Sequence, residues 1–345
     1  MTPSGPAPEA DPLSGALKEI IRNEVIIVGG GPSGATLGRY LARNGIRVVI
    51  LERSRFPRYK VCAGGVPSLL FDLVGNFPYE RKFDQILLKK GRREWRLNLA
   101  RPILTVKREE FDTFLLDRAR GAGCEIRFEP AQKIDGDRVV VESGSYEFRY
   151  LIGADGAGSL VRKAMGLEFH RWVRTIEFEI SGRGDELIVR IGPGPGYAWF
   201  WPKKETIAFG AGGFGDPNFW LEPFAEELGL RPEGKGYRYR YPIWEKKERI
   251  RGRMILIGDA GGFASPLTGA GIYTGILSAL AAGRMILTGR WDPFFRSLYP
   301  ELIPASQLAP FLYHSPGLLI DFVRPSISRN FGRQKGYYRI LRLKA

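Results

Sequence analysis

Cysteine, histidine, asparagine and glutamine are all scarce in this chain of 345 residues. The two cysteines, Cys62 and Cys124, are too few to ligate a four-cysteine iron–sulfur cluster within the chain. Neither they nor the two histidines, His170 and His314, show the spacing of a metal site, so no metal is expected and no role falls to either histidine. The low thiol content points to a reducing cytoplasm. Six asparagines and four glutamines beside many arginines hint at a thermophilic source. A long uninterrupted apolar run is missing too. The nearest, Ala270 to Leu287, is broken by Arg284 and filled with small residues, which predicts a buried core helix rather than a membrane span. The opening residues lack the basic start and apolar centre of a secretory signal and read as a flexible leader over residues 1–23.

What is present is ordinary in bulk and unusual in charge. Hydrophobic residues make up 44%, as expected for a globular chain, and the length allows two or three domains. The formal charge of +15 favours anionic partners: lipid headgroups, nucleic acid, phosphorylated substrates or an acidic electron carrier. No nucleic-acid motif accompanies the charge, so nucleic acid is set aside.

The stretch EVIIVGGGPSGATLGRYLARNGIRVVILER, Glu24 to Arg53, carries the first chemistry. A β-branched apolar run leads into Gly29, Gly31 and Gly34 in G-x-G-x-x-G spacing, then a helical pattern, then a second strand ending at Glu52. Gly29 permits the tight turn, Gly31 lets backbone approach a pyrophosphate, and Gly34 lets helix pack on strand. The helix N-terminus, opening at Pro32 and Ser33, supplies N–H groups to the phosphates. Glu52 stands where an acid accepts hydrogen bonds from ribose hydroxyls. A second G-x-G-x-x-G at Gly210, Gly212 and Gly215 has no helix directly behind it and reads as a strand end. One dinucleotide is therefore expected.

Two later stretches extend the pattern. In YLIGADGAGSLVRKAMG a strand runs into Asp155 and Gly156. In MILIGDAGGFASPLTGAGI a strand ends at Gly258-Asp259, and a glycine-rich turn with Pro266 leads to a helix. Asp259 would bind ribityl hydroxyls, and the N–H groups from Thr268 to Gly271 would face a flavin pyrimidine edge. Together with Arg108 these stretches resemble the FAD-binding fold of p-hydroxybenzoate hydroxylase and its relatives. The resemblance implies FAD as cofactor, in an α/β protein. A Rossmann-type FAD-binding domain is assembled from residues 24–66, 102–168 and 251–290. An inserted antiparallel-sheet substrate domain takes residues 67–101 and 169–250. A short C-terminal helical segment occupies residues 291–345.

Two further segments are similar to the geranylgeranyl reductase family. FPRYKVCAGGV matches its P-x-x-K-x-C-(x)-G segment at Pro57, Lys60, Cys62 and Gly64-Gly65. YAWFWPKKETIAFGAG matches Y-x-W-x-F-P-x6-V-G-x-G at Tyr197, Trp199, Pro202, Gly210 and Gly212, with Trp201 in place of Phe and Phe209 in place of Val. The resemblance implies flavin contacts from Gly29 to Gly34, from Glu52 and Arg53, from Lys60, Cys62, Ala63 and Gly64, and from Arg108, Asp155 and Gly156. It implies further contacts from Gly258, Asp259, Pro266, Gly269, Ala270, Gly271 and Ile272. The implied activity is FAD-dependent saturation of C=C bonds in geranylgeranyl chains, probable substrates being archaeal-type membrane-lipid precursors.

Alternation places Tyr197, Trp199 and Trp201 on one strand face. There they would form an apolar wall for an isoprenoid chain and stabilise positive charge building on an alkene carbon, by ~0.5–2 kcal/mol each. The same spacing also suits ordinary sheet core. Cys62 stays open between proton donor, gate and packing residue, and Cys124 reads as a buried strand residue. The sequence does not choose the electron donor, ferredoxin or NAD(P)H. The alternating basic and apolar tail GYYRILRLKA suits a peripheral anionic membrane surface. A flavin monooxygenase or halogenase of the same fold is the alternative. An electron-transfer flavoprotein with an iron–sulfur cluster is excluded by the cysteine count.

Overall fold

The structure, a computed structural model, describes residues 22–231, 234, 236–265 and 268–290. Most of the leader, Pro266, the C-terminal segment from residue 291 and the basic tail lie outside the described residues.

β1 (Arg22–Val28) passes through the glycine turn into α1 (Pro32–Ala42) and returns as β2 (Val48–Leu51), parallel to it. The end of β1 is apolar at every position because both of its faces are covered. Val25 and Ile27 pack beneath helices, while Ile26 and Val28 enter a separate cluster on the opposite face. β3 (Gly65–Pro67) and α2 (Leu70–Val74) lead to a long hairpin, β4 (Arg81–Lys90) and β5 (Arg93–Thr105). α3 (Arg108–Gly121) and β6 (Glu125–Arg127) return to the first sheet. The antiparallel strands β7 (Lys133–Asp135), β8 (Arg138–Val141) and β9 (Gly144–Gly153) follow, and β9 also lies parallel to β1.

After α4 (Leu160–Ala164) the chain builds the second sheet from β10 (Trp172–Ser181), β11 (Ile188–Ile191), β12 (Gly196–Pro202) and β13 (Thr206–Gly213). α5 (Asn218–Glu227) and β14 (Tyr237–Pro242) complete it. The last described elements are β15 (Ile250–Arg251), β16 (Met254–Leu256), a 3-10 turn over Gly258–Gly261 and α6 (Ile272–Thr288). The first sheet has the order β15-β16-β9-β1-β2-β6, and the second β14-β10-β13-β12-β11-β4-β5-β3. The second sheet is mixed rather than purely antiparallel, because β11 runs parallel to β4.

The apolar run from Ala270 becomes α6, buried along nearly its whole length against α1. No described helix is long and apolar enough to cross a membrane. On the face of the second sheet remote from the cavity described below, α5 supplies Trp220 and Phe224 to a cluster with Ala198, Phe209 and Ala211. Phe209 thus faces this cluster, stacked on Phe224. The Trp220 ring fills the space left by Gly192, Gly196 and Gly213, and its Nε1 donates to the Pro193 carbonyl at 2.9 Å. Trp220→Ala leaves a cavity that three glycines cannot fill. It is expected to cost about 3–5 kcal/mol in urea unfolding; a loss under 1 kcal/mol would mean that α5 does not anchor this sheet.

Candidate active site between the two sheets

The turn after β1 is built by contacts that only glycine permits. Gly29 has φ +104°, and a side chain there would strike the Ala154 carbonyl. A Cβ on Gly34 would collide with the Gly29 carbonyl, so helix and strand touch backbone to backbone. A Cβ on Gly31, by contrast, would meet only Arg58 Nη2, at 3.6 Å. Gly31 is also the N-cap of α1 and offers no side chain to its first N–H groups. Glu52 is buried, and its two oxygens accept from the N–H groups of Gly30 (2.7 Å) and Ser54 (2.9 Å). The acid therefore pins the turn as well as facing the cavity. Arg53 is exposed at the cavity's edge.

Asp155 follows β9. Its Oδ2 accepts the Leu160 N–H, its Oδ1 is buried without a partner, and burial raises its pKa. Arg108, the first residue of α3, makes a two-pronged pair with Asp112, both bonds 2.7 Å, and Arg58 reaches the same carboxylate at 3.3 Å. Lys60 Nζ sits 3.6 Å from the centroid of Tyr239, whose hydroxyl lies 3.4 Å from Asp259 Oδ2. Burial pushes Lys60 down to about 8, against the pull of Asp259. Asp259 is raised by burial, opposed by Lys60 and Arg108.

The second sheet meets these loops with a stepped face. Strand pairing puts Tyr197, Gly212 and Thr175 in one row, Trp199, Gly210 and Glu177 in the next, and Trp201 and Ala208 in a third with Glu179. The middle strand, β13, has almost no side chains on this face, so the rings of β12 have room to lie across it. A Cβ on Gly210 would come within 2.6 Å of the Trp199 ring. The second G-x-G-x-x-G is thus a strand, as read from the sequence, and one almost bare on this face.

The three rings do different things. The Tyr197 hydroxyl donates to the Thr268 carbonyl at 2.8 Å and joins the sheet to the turn before α6. Trp199 is 7% exposed and lies over Gly210. The Trp201 ring occupies the space a side chain on Gly65 would need and so holds the Cys62–Gly65 loop. That loop is fixed elsewhere too: Val106 N donates to the Gly64 carbonyl at 2.9 Å, and Cys62 Sγ accepts the Gly64 N–H at 3.4 Å. Cys124 is buried in the helix-side core, and burial raises its pKa. In the turn before α6, the N–H groups of Thr268, Gly269 and Ala270 donate to Ser265 Oγ, the Ser265 carbonyl and Thr268 Oγ1. These three amides close the turn instead of standing as a free donor row.

One cavity of about 880 Å³ gathers the expected residues. The exceptions are Gly34, packed behind the turn, and Pro266, outside the described residues. Sequence reasoning missed Glu177, Thr175 and Tyr239, which line the same cavity. Glu177 is 1% exposed. Its Oε1 accepts the Cys62 N–H at 2.9 Å, and its Oε2 has no hydrogen-bond partner. The Trp199 indole N–H beside it also lacks a well-formed bond, although its proximity favours the carboxylate. Burial pushes Glu177 up to about 7, against the pull of Lys203, whose Nζ holds Glu179 at 2.8 and 2.9 Å. A signal for Glu177 existed: IEFEIS places acids at alternate positions of an otherwise apolar strand.

This arrangement fits FAD. The glycine turn lines the cavity with Gly29 and Gly31, the first N–H groups of α1 carry no side-chain cap, and a buried carboxylate oxygen at Asp155 is unpartnered. Residues 22–182 match the FAD binding domain family. A chloroplastic geranylgeranyl diphosphate reductase of Oryza sativa is 27% identical over 78% of this chain and 67% of its own length. A digeranylgeranylglycerophospholipid reductase of Methanocaldococcus jannaschii is 28% identical over 76% of each chain. Among solved structures, a geranylgeranyl bacteriochlorophyll reductase-like protein of Thermoplasma acidophilum superposes with a TM-score of 0.71 at 18% identity, covering 89% of this chain and 92% of the other. A flavin-dependent brominase shares the fold with a TM-score of 0.68 at 18% identity, over 93% of each chain. The chain is an FAD-dependent oxidoreductase with geranylgeranyl reductases among its relatives. Gly34→Ala forces the helix away from Gly29 and is expected to weaken FAD binding at least tenfold, about 1.4 kcal/mol. Quenching of flavin fluorescence on titration measures this; unchanged affinity would refute the backbone-contact account of the cradle.

Proposed function

We propose that this flavoprotein saturates C=C bonds of geranylgeranyl chains carried on membrane-lipid precursors. The observation that carries the reading is the stepped aromatic face of β12, set over the bare strand β13 and opening into the cavity that holds the flavin cradle. A hydrocarbon chain offers no hydrogen bonds, so shape and an apolar wall must select it. Reduced FAD, when bound, supplies a hydride. The chain's own residues align the alkene, exclude water and favour charge at the more substituted carbon, to which aromatic faces contribute ~0.5–2 kcal/mol each. Tyr197, Trp199 and Trp201 are assigned that wall, and Cys62 a place at its edge, where its N–H holds Glu177.

The net charge of +15 suits an acidic protein donor such as ferredoxin and an anionic membrane surface, while NAD(P)H is the other donor considered. The brominase neighbour supports a second reading, oxygen-dependent halogenation or hydroxylation on this fold.

Anaerobic protein reduced with dithionite and mixed with a geranylgeranyl glycerolipid is expected to reoxidise its flavin, and mass spectrometry to show two hydrogens gained per double bond. Unchanged lipid with flavin still reduced, followed by a hydroperoxide spectrum on admitting oxygen, would move the halogenase or hydroxylase reading ahead. Trp199→Ala is expected to lower turnover tenfold or more, about 1.4 kcal/mol of barrier, with FAD content unchanged. Full activity in that variant would remove Trp199 from the wall.

A further inference from the structure

Every other carboxylate that lines the cavity comes from the loops of the first sheet: Glu52, Asp155 and Asp259. Of the second sheet's residues on the cavity wall, Glu177 is the one carboxyl group. It stands in the row of Trp199 and Gly210, so the missing side chain on β13 leaves it in view of the Trp199 ring. One of its oxygens is committed to the Cys62 N–H, and the other is buried with no partner among the described residues. A carboxylate kept only to hold the Cys62 loop needs one acceptor, which an amide would supply without a buried charge. Leaving a second oxygen buried and unpaired is costly unless it carries a proton or meets a ligand.

We propose that Glu177 is the general acid of the reaction, its Oε2 hydroxyl giving a proton to the less substituted carbon of the alkene. The inference rests on the prenyl-reductase reading above. The alkene's π electrons form the new C–H bond with the Glu177 proton as the carboxyl O–H bond breaks. The more substituted carbon takes a hydride, both electrons coming from dihydroflavin, which is oxidised as the alkene is reduced. Glu177 is left as a carboxylate and regains its proton from water. Two of the tyrosine hydroxyls that line the cavity are engaged elsewhere, Tyr197 with the Thr268 carbonyl and Tyr239 with Asp259.

The charges around Glu177 support a proton held near neutrality. Lys203, at the β12–β13 turn, and the Trp199 indole favour the carboxylate, as does the Cys62 N–H. Glu179, on the same strand, disfavours it, and burial outweighs the rest. Tyr59, which also lines the cavity, is coupled to it as well. The carboxyl is thus pushed up to about 7 from an ordinary 4.5, within the range in which an acid is both protonated and effective.

The test compares wild type with Glu177→Gln and Glu177→Asp, each loaded with FAD, reduced with dithionite and supplied with the geranylgeranyl glycerolipid. Glu177→Gln keeps the acceptor for Cys62, so FAD content and KM should hold while kcat falls about a hundredfold or more. Wild-type kcat should decline as pH rises through about 7. Glu177→Asp should retain part of the activity with that limb displaced. Stability gives a readout free of turnover. The raised folded-state pKa means that wild type loses stability, relative to Glu177→Gln, as pH rises from about 4.5 to about 7. Glu177→Gln turning over at the wild-type rate with the alkaline limb intact would overturn the proposal and leave the reductase reading standing. Wild type inert towards the lipid would overturn that reading, and this inference with it.

Discussion

The cavity's geometry depends on one lateral contact, an indole lying across a strand that has no side chain beneath it. Trp199 belongs to β12 and Glu177 to β10, with β13 between them. Two strands separated by a third are about 10 Å apart, beyond direct side-chain contact if the middle strand carried ordinary residues. Gly210 removes that barrier, and the ring covers it. The apolar and the acidic parts of the wall become neighbours only because of this omission. The rows on either side are also lightly occupied on β13, Gly212 pairing with Tyr197 and Ala208 with Trp201.

From this face the two sheets are tied together. Tyr197 bonds the turn before α6 and Glu177 bonds the backbone of Cys62, while Trp201 packs on Gly65, where that loop enters the second sheet. Within the second sheet, Thr105, at the end of β5, adds a buried bond to the Pro202 carbonyl at 2.9 Å. The links end on the segments whose backbones flank the cavity. A change in the sheet face therefore reaches the flavin loops by direct contact. The same links explain why the aromatic residues cannot be exchanged one for another. One ring fastens a turn, one covers a glycine and one clamps a loop.

The first sheet was largely legible in the sequence. Its signals are local: a β-branched run, three glycines at fixed spacing and an acid at the end of the next strand. Each corresponds to a contact seen here, such as Gly34 against the Gly29 carbonyl. The aromatic strand was legible as an alternation, and its parity places all three rings on the cavity wall. What lay opposite them was not legible. Glu177 meets Cys62 across 115 positions, and the register that brings it to Trp199 passes through a third strand. Short-range patterns carry no information about such a meeting. The glycines of β13 share the spacing of a phosphate loop, and the lack of a helix directly behind them marked them correctly as strand. The amides before α6 show the converse limit. Their position was foreseen, but their engagement with Ser265 and Thr268 depends on the exact path of the turn.

The same fold carries reductases and halogenases, so the distinction between them must lie in the walls. Oxygen chemistry needs a group that handles an oxidant and a path by which it leaves the flavin. Alkene reduction needs a dry hydrocarbon channel and, at its reacting end, one proton. Under the proposed reading, a buried neutral carboxyl beside the aromatic rings meets both demands of the second chemistry. Its burial keeps it neutral for most of the range below pH 7, so it places no fixed charge against the hydrocarbon. The Cys62 N–H and the Lys203 ammonium moderate that rise, leaving the proton transferable instead of locked. An apolar residue at position 177 would give the chain a drier wall and no acid. If Glu177 is the acid, an ionised carboxyl would have no proton to give and would be costly to hold against a hydrocarbon. The observed balance of burial against one backbone donor and one nearby cation lies between those two failures.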